Sequence, residues 1–368
     1  MPMNVGDSTR CVHSGLPLAK PGDPIVPGPL LSTAYHLRPE GVEPGDDGYG
    51  RPDNPTRRLL EAAIGELEGG PSLVFASGQA AITALLMTTL KPGDTVVIPS
   101  DGYYQVRLFA STTLAGMGIN VIEAPTAGPY PPFAGVRLVL LESPSNPGLD
   151  LVDIGTVATM AHAEGALVAV DNTAATPLGQ RPLVLGADVV VASGTKALAG
   201  HTDVLLGYVA AREQSLVDGM QRWRNLSGAI PSPFDCWLVR RSLGTLALRL
   251  RQQSANAAAL VPVLRSHSLV EAVYHPSDSP FASQLNILPG LVSFELPSAT
   301  HVAAFLKAAQ LIAAATSFGG LHTTADRRHQ WGDSVPPGFV RLSCGIEDTA
   351  DLVDDTLAAL DSATTLSR

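Results

Sequence analysis

Lysine is scarce in this sequence, four residues among 24 basic ones, and one of the four is placed unlike the rest. Lys196 follows the run Asp188-Val189-Val190-Val191-Ala192 and sits in Ser193-Gly194-Thr195-Lys196, where a loop leaves the C-terminal end of a buried strand. Lys20 falls in a Pro-rich stretch, Lys91 before a Pro-Gly turn and Lys307 in a helical run, all ordinary solvated settings. Ligands of open α/β sheets bind outside the C-terminal ends of the strands. An amine held there beside two hydroxyls suits a carbonyl-bearing cofactor, since the amine can form a Schiff base while the hydroxyls meet a phosphate. On spacing alone, a surface or structural lysine fits the same pattern.

Asp171 closes the apolar run Leu167-Val168-Ala169-Val170, 25 residues before Lys196, so both side chains should emerge at the same end of the sheet. A carboxylate there can keep a pyridine nitrogen protonated, which makes pyridoxal phosphate (PLP) an electron sink. Capping the next helix is the plainer use of the same residue. Ser77-Gly78-Gln79-Ala80-Ala81 joins a strand to a helix, and the exposed N–H groups of such a turn form an anion site with the helix dipole behind them.

These residues need a sheet to hold them, and the hydrophobic pattern supplies one. Residues 1–48 are dense in Pro and Gly and predict an extended arm with little secondary structure of its own, of the kind that lies on another subunit. Apolar spacing of three to four then predicts an amphipathic helix from Arg57 to Glu68, stopped by Gly69-Gly70. Strand runs at 73–75, 95–98, 136–141, 167–170 and 189–191 alternate with helical stretches at 79–90 and 153–164, the signature of a largely parallel sheet covered on both faces. After about residue 240 come Ala-, Leu- and Arg-rich helices (244–265 and 300–314) around a strand at 291–296. The reading is a PLP-binding α/β domain at 49–240 and a C-terminal α+β domain at 241–368.

Composition narrows the class. Hydrophobic residues make up 45% and charged residues 16% of 368, enough for a sizeable core. A formal net charge of −10 without a basic cluster argues against nucleic acid or an anionic membrane as partner and for a small soluble ligand. Cys11, Cys236 and Cys344 form neither a CxxC pair nor an even set, which fits a reducing cytoplasm, and no metal is expected. The N-terminus has no basic-then-apolar export pattern, and the long uncharged stretch 69–90 is broken by Pro71 and Ser77-Gly78-Gln79. No GxGxxG follows the first strand, which disfavours a nicotinamide dehydrogenase.

From about 49 to 362 the chain resembles the Cys/Met-metabolism family of PLP enzymes, which includes cystathionine γ-lyase, cystathionine γ-synthase and methionine γ-lyase. The matching segments are 49–56 (YGRPDNPT), Ala76-Ser77-Gly78, 142–147 (ESPSNP), 170–173 (VDNT), Ser193-Gly194-Thr195-Lys196 with Gly200-His201, and 340–348 (VRLSCGIED). The resemblance implies PLP-dependent transferase fold type I: an α/β domain with a mostly parallel sheet flanked by helices, and a smaller α+β C-terminal domain. It implies that Lys196 holds PLP, that Asp171 pairs with the pyridine nitrogen, and that Gly78, Gln79, Ser193 and Thr195 bind the phosphate. Tyr49 and Arg51 would join them from a neighbouring subunit, in a homotetramer of dimers with shared sites. Asn146 would lie near the cofactor's phenolic oxygen and the substrate carboxylate, Ser317 would line the substrate site, and Arg341 would clamp the carboxylate through two parallel hydrogen bonds. Tyr103 would stack on the ring and pass a proton to the leaving sulfur.

Three segments depart from the family. The usual Tyr-Gly-Gly-Thr reads Tyr103-Tyr104-Gln105-Val106, leaving Tyr104 open as the stacking ring. After Ser317-Phe318-Gly319-Gly320-Leu321, His322-Thr323 replaces Glu-Ser near the expected distal end of the substrate, and His322 fits a solvated loop residue equally well. Arg241-Ser242-Leu243-Gly244-Thr245 lacks the family's lysine, a change given no functional meaning. The activity implied is γ-elimination from an amino acid, cystathionine giving cysteine, 2-oxobutyrate and ammonia. The alternatives are γ-replacement (cystathionine γ-synthase or O-acylhomoserine sulfhydrylase), methionine γ-lyase, or a non-catalytic PLP-binding protein.

Overall fold

In the computed structural model, residues 5–41, 43 and 45–365 are described; the ends of the arm and of the C-terminal domain expected from the sequence lie outside them. Seven strands form the first sheet: β1 (Ser72–Phe75), β2 (Thr95–Pro99), β3 (Asn120–Ala124), β4 (Val136–Glu142), β5 (Leu167–Asp171), β6 (Val189–Ser193) and β7 (Gly207–Ala211), in the order β1-β7-β6-β5-β4-β2-β3. Pairing is parallel from β3 through β2, β4 and β5 to β6, and only β7 runs antiparallel, to both β6 and β1. Burial of β5, of β6 and of β4 from Leu138 onward explains their apolar runs, while Arg137, near the start of β4, is exposed. Register sets Glu142 opposite Asp171, and Asp171 opposite Val191, at the strand ends.

The arm departs from expectation at its start, where Asp7–His13 forms a short helix. Cys11 on that helix is buried in the core, Arg240 donates to the Val12 carbonyl at 3.1 Å, and Asp7 pairs with Arg181, so tertiary contacts stabilise a turn that local composition does not. The rest of its described residues, up to Asn54, form turns and irregular chain with isolated bridges Ala34–Tyr49 and Arg38–Gly41. There Asn54 caps the helix Pro55–Glu68, its Oδ1 accepting from the N–H groups of Thr56 (2.9 Å) and Arg57 (3.3 Å), and Gly69 at φ 87° ends it.

Three helices, Gln214–Ser227, Pro233–Leu243 and Leu246–Ser266, separate this sheet from a second. That sheet comprises β8 (Ala272–Tyr274), β9 (Leu291–Glu295), β10 (Ala313–Ala314), β11 (Thr324–Arg327) and β12 (Phe339–Ser343), ordered β10-β11-β12-β9-β8. The expected helix 300–314 spans only Ala299–Ala308, and Ala313-Ala314 instead pairs parallel with β11. Alanine's helix propensity yields there to a strand partner available only in the folded chain. Edge strand β3 and strand β7, rich in Gly and Ala, were silent in the apolar pattern.

Asn54 is fully buried, and its Nδ2 also donates to the Leu30 carbonyl at 3.0 Å, tying the arm to the helix it caps. Asn54→Ala should therefore cost about 2 kcal/mol or more, a lost cap plus a stranded carbonyl. Denaturant unfolding checks this, and a loss below about 0.5 kcal/mol would show that the cap carries no stability.

Candidate active site

The ends of β4, β5 and β6 open onto a cavity of about 340 Å³. Asp171 and Glu142 face each other there, both buried. Asp171 Oδ1 accepts from the Thr173 N–H at 3.0 Å and from its hydroxyl at 2.5 Å, and that hydroxyl in turn accepts from the Ser193 N–H at 2.8 Å. Burial raises the pKa of both carboxyls. Glu142 is pushed further, because the Asp171 charge adds to its desolvation, whereas the Thr173 hydrogen bonds hold Asp171 down. Glu142 too is held down by hydrogen bonds, from the Tyr103 and Asn146 N–H groups, but Asp171, free of that added charge effect, is raised less.

Lys196 reaches in from the turn after β6, and its Nζ donates to Ser317 Oγ at 2.8 Å. Burial, followed by the charges of Arg341 and Arg328, pushes its pKa down to about 8. Arg341, in the middle of β12, is 2% exposed, and burial works against its charge. Its Nη1 donates to Asn146 Oδ1 and its Nη2 to the Ser317 carbonyl at 2.9 Å, while its Nε, buried, has no partner. The Phe318 ring lies under both cations, 5.2 Å from Lys196 Nζ and 5.0 Å from the Arg341 guanidinium. Arg328 is held by Asp326 and Asp333 and forms part of the same wall.

Helix Gly78–Thr89 starts at the cavity's edge. Ser77 Oγ accepts from the Ala80 N–H at 3.1 Å, and Gly78 and Gln79 supply the first two N–H groups, which have no carbonyl one turn back. Gly78 allows close packing: a Cβ there would stand 2.7 Å from that of Ser193. Gln79 Oε1 is buried without a partner. Thr195 lines the cavity, but its hydroxyl is engaged with Leu206 in both directions, donating at 3.1 Å and accepting at 2.9 Å.

Tyr103 and Tyr104 both line the cavity, ring centroids 5.1 Å apart and edge to face, so either ring can flank a flat ligand. The Tyr103 N–H donates to Glu142 Oε2 at 2.8 Å; burial, then Tyr104, raises its phenol pKa. Tyr49 and Arg51 are not brought to the cavity: Tyr49 is 53% exposed, and Arg51 donates to the Asn225 carbonyl at 2.7 Å. His322 is exposed and not part of the lining, which takes it out of the wall expected at the substrate's distal end.

A role for Glu142 was missed. Its Oε1 accepts from the Asn146 N–H at 2.9 Å while Oε2 takes that of Tyr103, so one carboxyl fixes two backbones of the site. The available signal was the one that exposed Asp171, a carboxylate closing an apolar run.

The donor set fits PLP: one amine of lowered pKa, one buried carboxylate, a helix N-terminus with an orphaned amide oxygen, and flanking aromatic rings. In the cofactor-free protein, acylation of Lys196 followed by mass spectrometry should rise with pH through a midpoint of about 8. A midpoint near roughly 10.4, that of a solvated lysine, would show that the cavity does not perturb the amine.

Comparison with known proteins agrees with this donor set. Residues 8–361 match the family model described as Cys/Met metabolism PLP-dependent enzyme. A putative cystathionine γ-lyase of Streptomyces coelicolor is 48% identical over 98% of this chain and 94% of its own. The L-methionine γ-lyase of Pseudomonas putida is 35% identical over 96% and 97%. Among solved structures, cystathionine γ-synthase from Xanthomonas oryzae pv. oryzae, in complex with aminoacrylate and cysteine, superposes with a TM-score of 0.91 at 34% identity, covering 98% of this chain and 99% of its own. The chain belongs to the Cys/Met-metabolism family of PLP-dependent enzymes.

Proposed function

We propose that this enzyme is a carbon–sulfur lyase acting by γ-elimination, with cystathionine as substrate and cysteine, 2-oxobutyrate and ammonia as products, one water being consumed. The observation that carries the reading is the convergence of Lys196, Asp171 and Arg341 on one cavity. The 48% identical relative favours elimination; γ-replacement is the second reading, favoured by the likeness to a synthase.

PLP, when bound, supplies a carbonyl carbon for amine exchange and an electron-withdrawing ring. Lys196 would hold the cofactor and, as a free amine, would take the proton from the substrate α-carbon and serve the neighbouring β-carbon. In the ligand-free cavity its pKa is already lowered to about 8, which favours the neutral amine that a base needs. Asp171, ionised at the strand end, holds the ring nitrogen positive. Arg341 and Asn146 orient the carboxylate, and Ser317 Oγ, already on Lys196 Nζ, steadies the amine. Tyr103, kept protonated by burial, holds the proton for the departing thiolate. Gly78, Gln79 and Ser193 take the phosphate, with Thr195 contributing through its place in the turn rather than a free hydroxyl.

Tyr49 and Arg51, away from their own chain's cavity, are proposed to complete the phosphate site of a neighbouring subunit within a homotetramer. The arm preceding them exposes Leu18 (95%) and Ile25 (92%), which a second subunit would cover. No helix among the described residues is long and apolar enough to cross a membrane, and a cytoplasmic location is proposed.

Lys196→Ala should abolish 2-oxobutyrate release from cystathionine and the yellow colour of the purified protein while leaving its far-UV spectrum unchanged. Asp171→Asn should lower kcat at least about a hundredfold, because it removes the charge but not the shape; an unchanged kcat would reduce Asp171 to a structural cap. Parallel assays with methionine, and with O-acylhomoserines plus cysteine, separate the alternatives.

Arg51→Ala mixed with Lys196→Ala under subunit exchange should regain activity, since one hybrid site then has both intact residues. No recovery, or an active monomer on sedimentation, would overturn the shared site.

A further inference from the structure

The turn that bears Lys196, the loop that bears Ser317 and the segment just beyond β12, the strand of Arg341, lie outside regular structure, and carbonyls in all three take side-chain donors. One helix, Leu246–Ser266, meets all three. Arg249, Gln253 and Asn256 stand at i, i+4 and i+7, one face of that helix, and are 4%, 1% and 0% exposed beside the buried Leu250, Ala257 and Leu260. Arg249 Nη1 donates to the Ala197 carbonyl at 2.6 Å. Its Nη2 donates to Leu198 at 3.3 Å and Ser242 at 3.0 Å, and its Nε donates to Thr245 Oγ1 at 3.2 Å. None of the described ion pairs includes it; the cation is solvated by carbonyls of the Lys196 turn and of Ser242.

Gln253 Nε2 donates to the Gly320 carbonyl at 2.7 Å. That loop also rests directly on the Lys196 turn, since a Cβ at Gly319 would stand 2.6 Å from the Ala197 nitrogen. Asn256 Nδ2 donates to Gly345 at 3.1 Å and Glu347 at 2.9 Å, just beyond β12 and Arg341. The run Arg241-Ser242-Leu243-Gly244-Thr245 supplies two of Arg249's acceptors.

We infer that the stripe Arg249–Gln253–Asn256 is a set of positioning residues that sets Lys196 in register with the carboxylate-holding pair Ser317 and Arg341. Arg249 acts on the lysine side, Gln253 and Asn256 on the carboxylate side. The inference rests on the roles proposed above for Lys196 and Arg341.

The two sides separate in PLP-loaded variants. The readouts are the pH dependence of visible absorbance, the dissociation constant for L-alanine, which has amine and carboxylate but no leaving group, and thermal stability. Arg249→Lys, which keeps the charge but cannot span four acceptors, should move the midpoint of the absorbance–pH curve by half a unit or more and leave L-alanine affinity within threefold. Gln253→Leu should weaken L-alanine at least tenfold and shift the curve by less than Arg249→Lys does. If Arg249→Lys does not fold, Thr245→Val, at an exposed position and removing a single acceptor, should shift the curve in a smaller, measurable degree with the affinity unchanged. Loss of thermal stability alone, or the same pattern from both sides, overturns the inference. A wild-type protein with no visible band, or PLP fixed covalently to Lys196→Ala by borohydride reduction, would instead overturn the assignment of Lys196 itself.

Discussion

Two carboxylates buried side by side at the ends of β4 and β5 set the terms for the rest of the site. Neighbouring parallel strands in register put Glu142 and Asp171 at one level, and two negative charges cannot both persist there cheaply. The surroundings divide the roles. Asp171 receives two hydrogen bonds from Thr173 and is raised less, while Glu142, pushed further up, spends both oxygens on the backbones of Asn146 and Tyr103. One carboxyl is thereby left at the cavity wall and the other braces two backbones of the cavity lining.

The opposite wall carries the complementary charge. Lys196, Arg341 and Arg328 crowd together, and their mutual repulsion adds to burial in lowering the lysine's pKa. Asp326 and Asp333 neutralise Arg328, which leaves Arg341 as the guanidinium of that wall without a carboxylate among its hydrogen-bond partners. It is held in place by neutral acceptors, Asn146 Oδ1 and the Ser317 carbonyl, and these leave it able to attract an anion. An amine poised near neutrality between a carboxylate and an anion-seeking arginine is an arrangement for binding amino acids and moving their protons.

Much of the first sheet was legible because fully buried parallel strands read as unbroken apolar runs, and a polar residue closing such a run stands out. Lys196 and Asp171 were visible for that reason, and Glu142 carried the same mark. The helix expected at 79–90 was legible from the strand-to-helix turn Ser77-Gly78-Gln79, and the Ser77 cap that starts it at Gly78 came from the structure. Strand β7 and the Ala313-Ala314 pairing were not, since Gly- and Ala-rich segments take their state from the partner the fold provides. The start of the arm likewise became helical through Cys11, Asp7 and Val12, contacts more than 170 residues away in sequence for the Arg181 and Arg240 side chains.

By itself the sequence determined which chemistry was available: one distinctive lysine, an aspartate at a strand end, a strand-to-helix glycine turn, and a chain of motifs shared with one enzyme family. Those are local facts, carried by residue type and spacing. What only the tertiary structure decided was who meets whom across 121 to 195 residues of chain, Lys196 with Ser317 and Asn146 with Arg341, and that Thr195 gives its hydroxyl to Leu206 while His322 is exposed and outside the cavity lining. Such pairings depend on how two sheets and the helix between them pack, and packing is settled by the whole core at once, not by any segment that contributes to it.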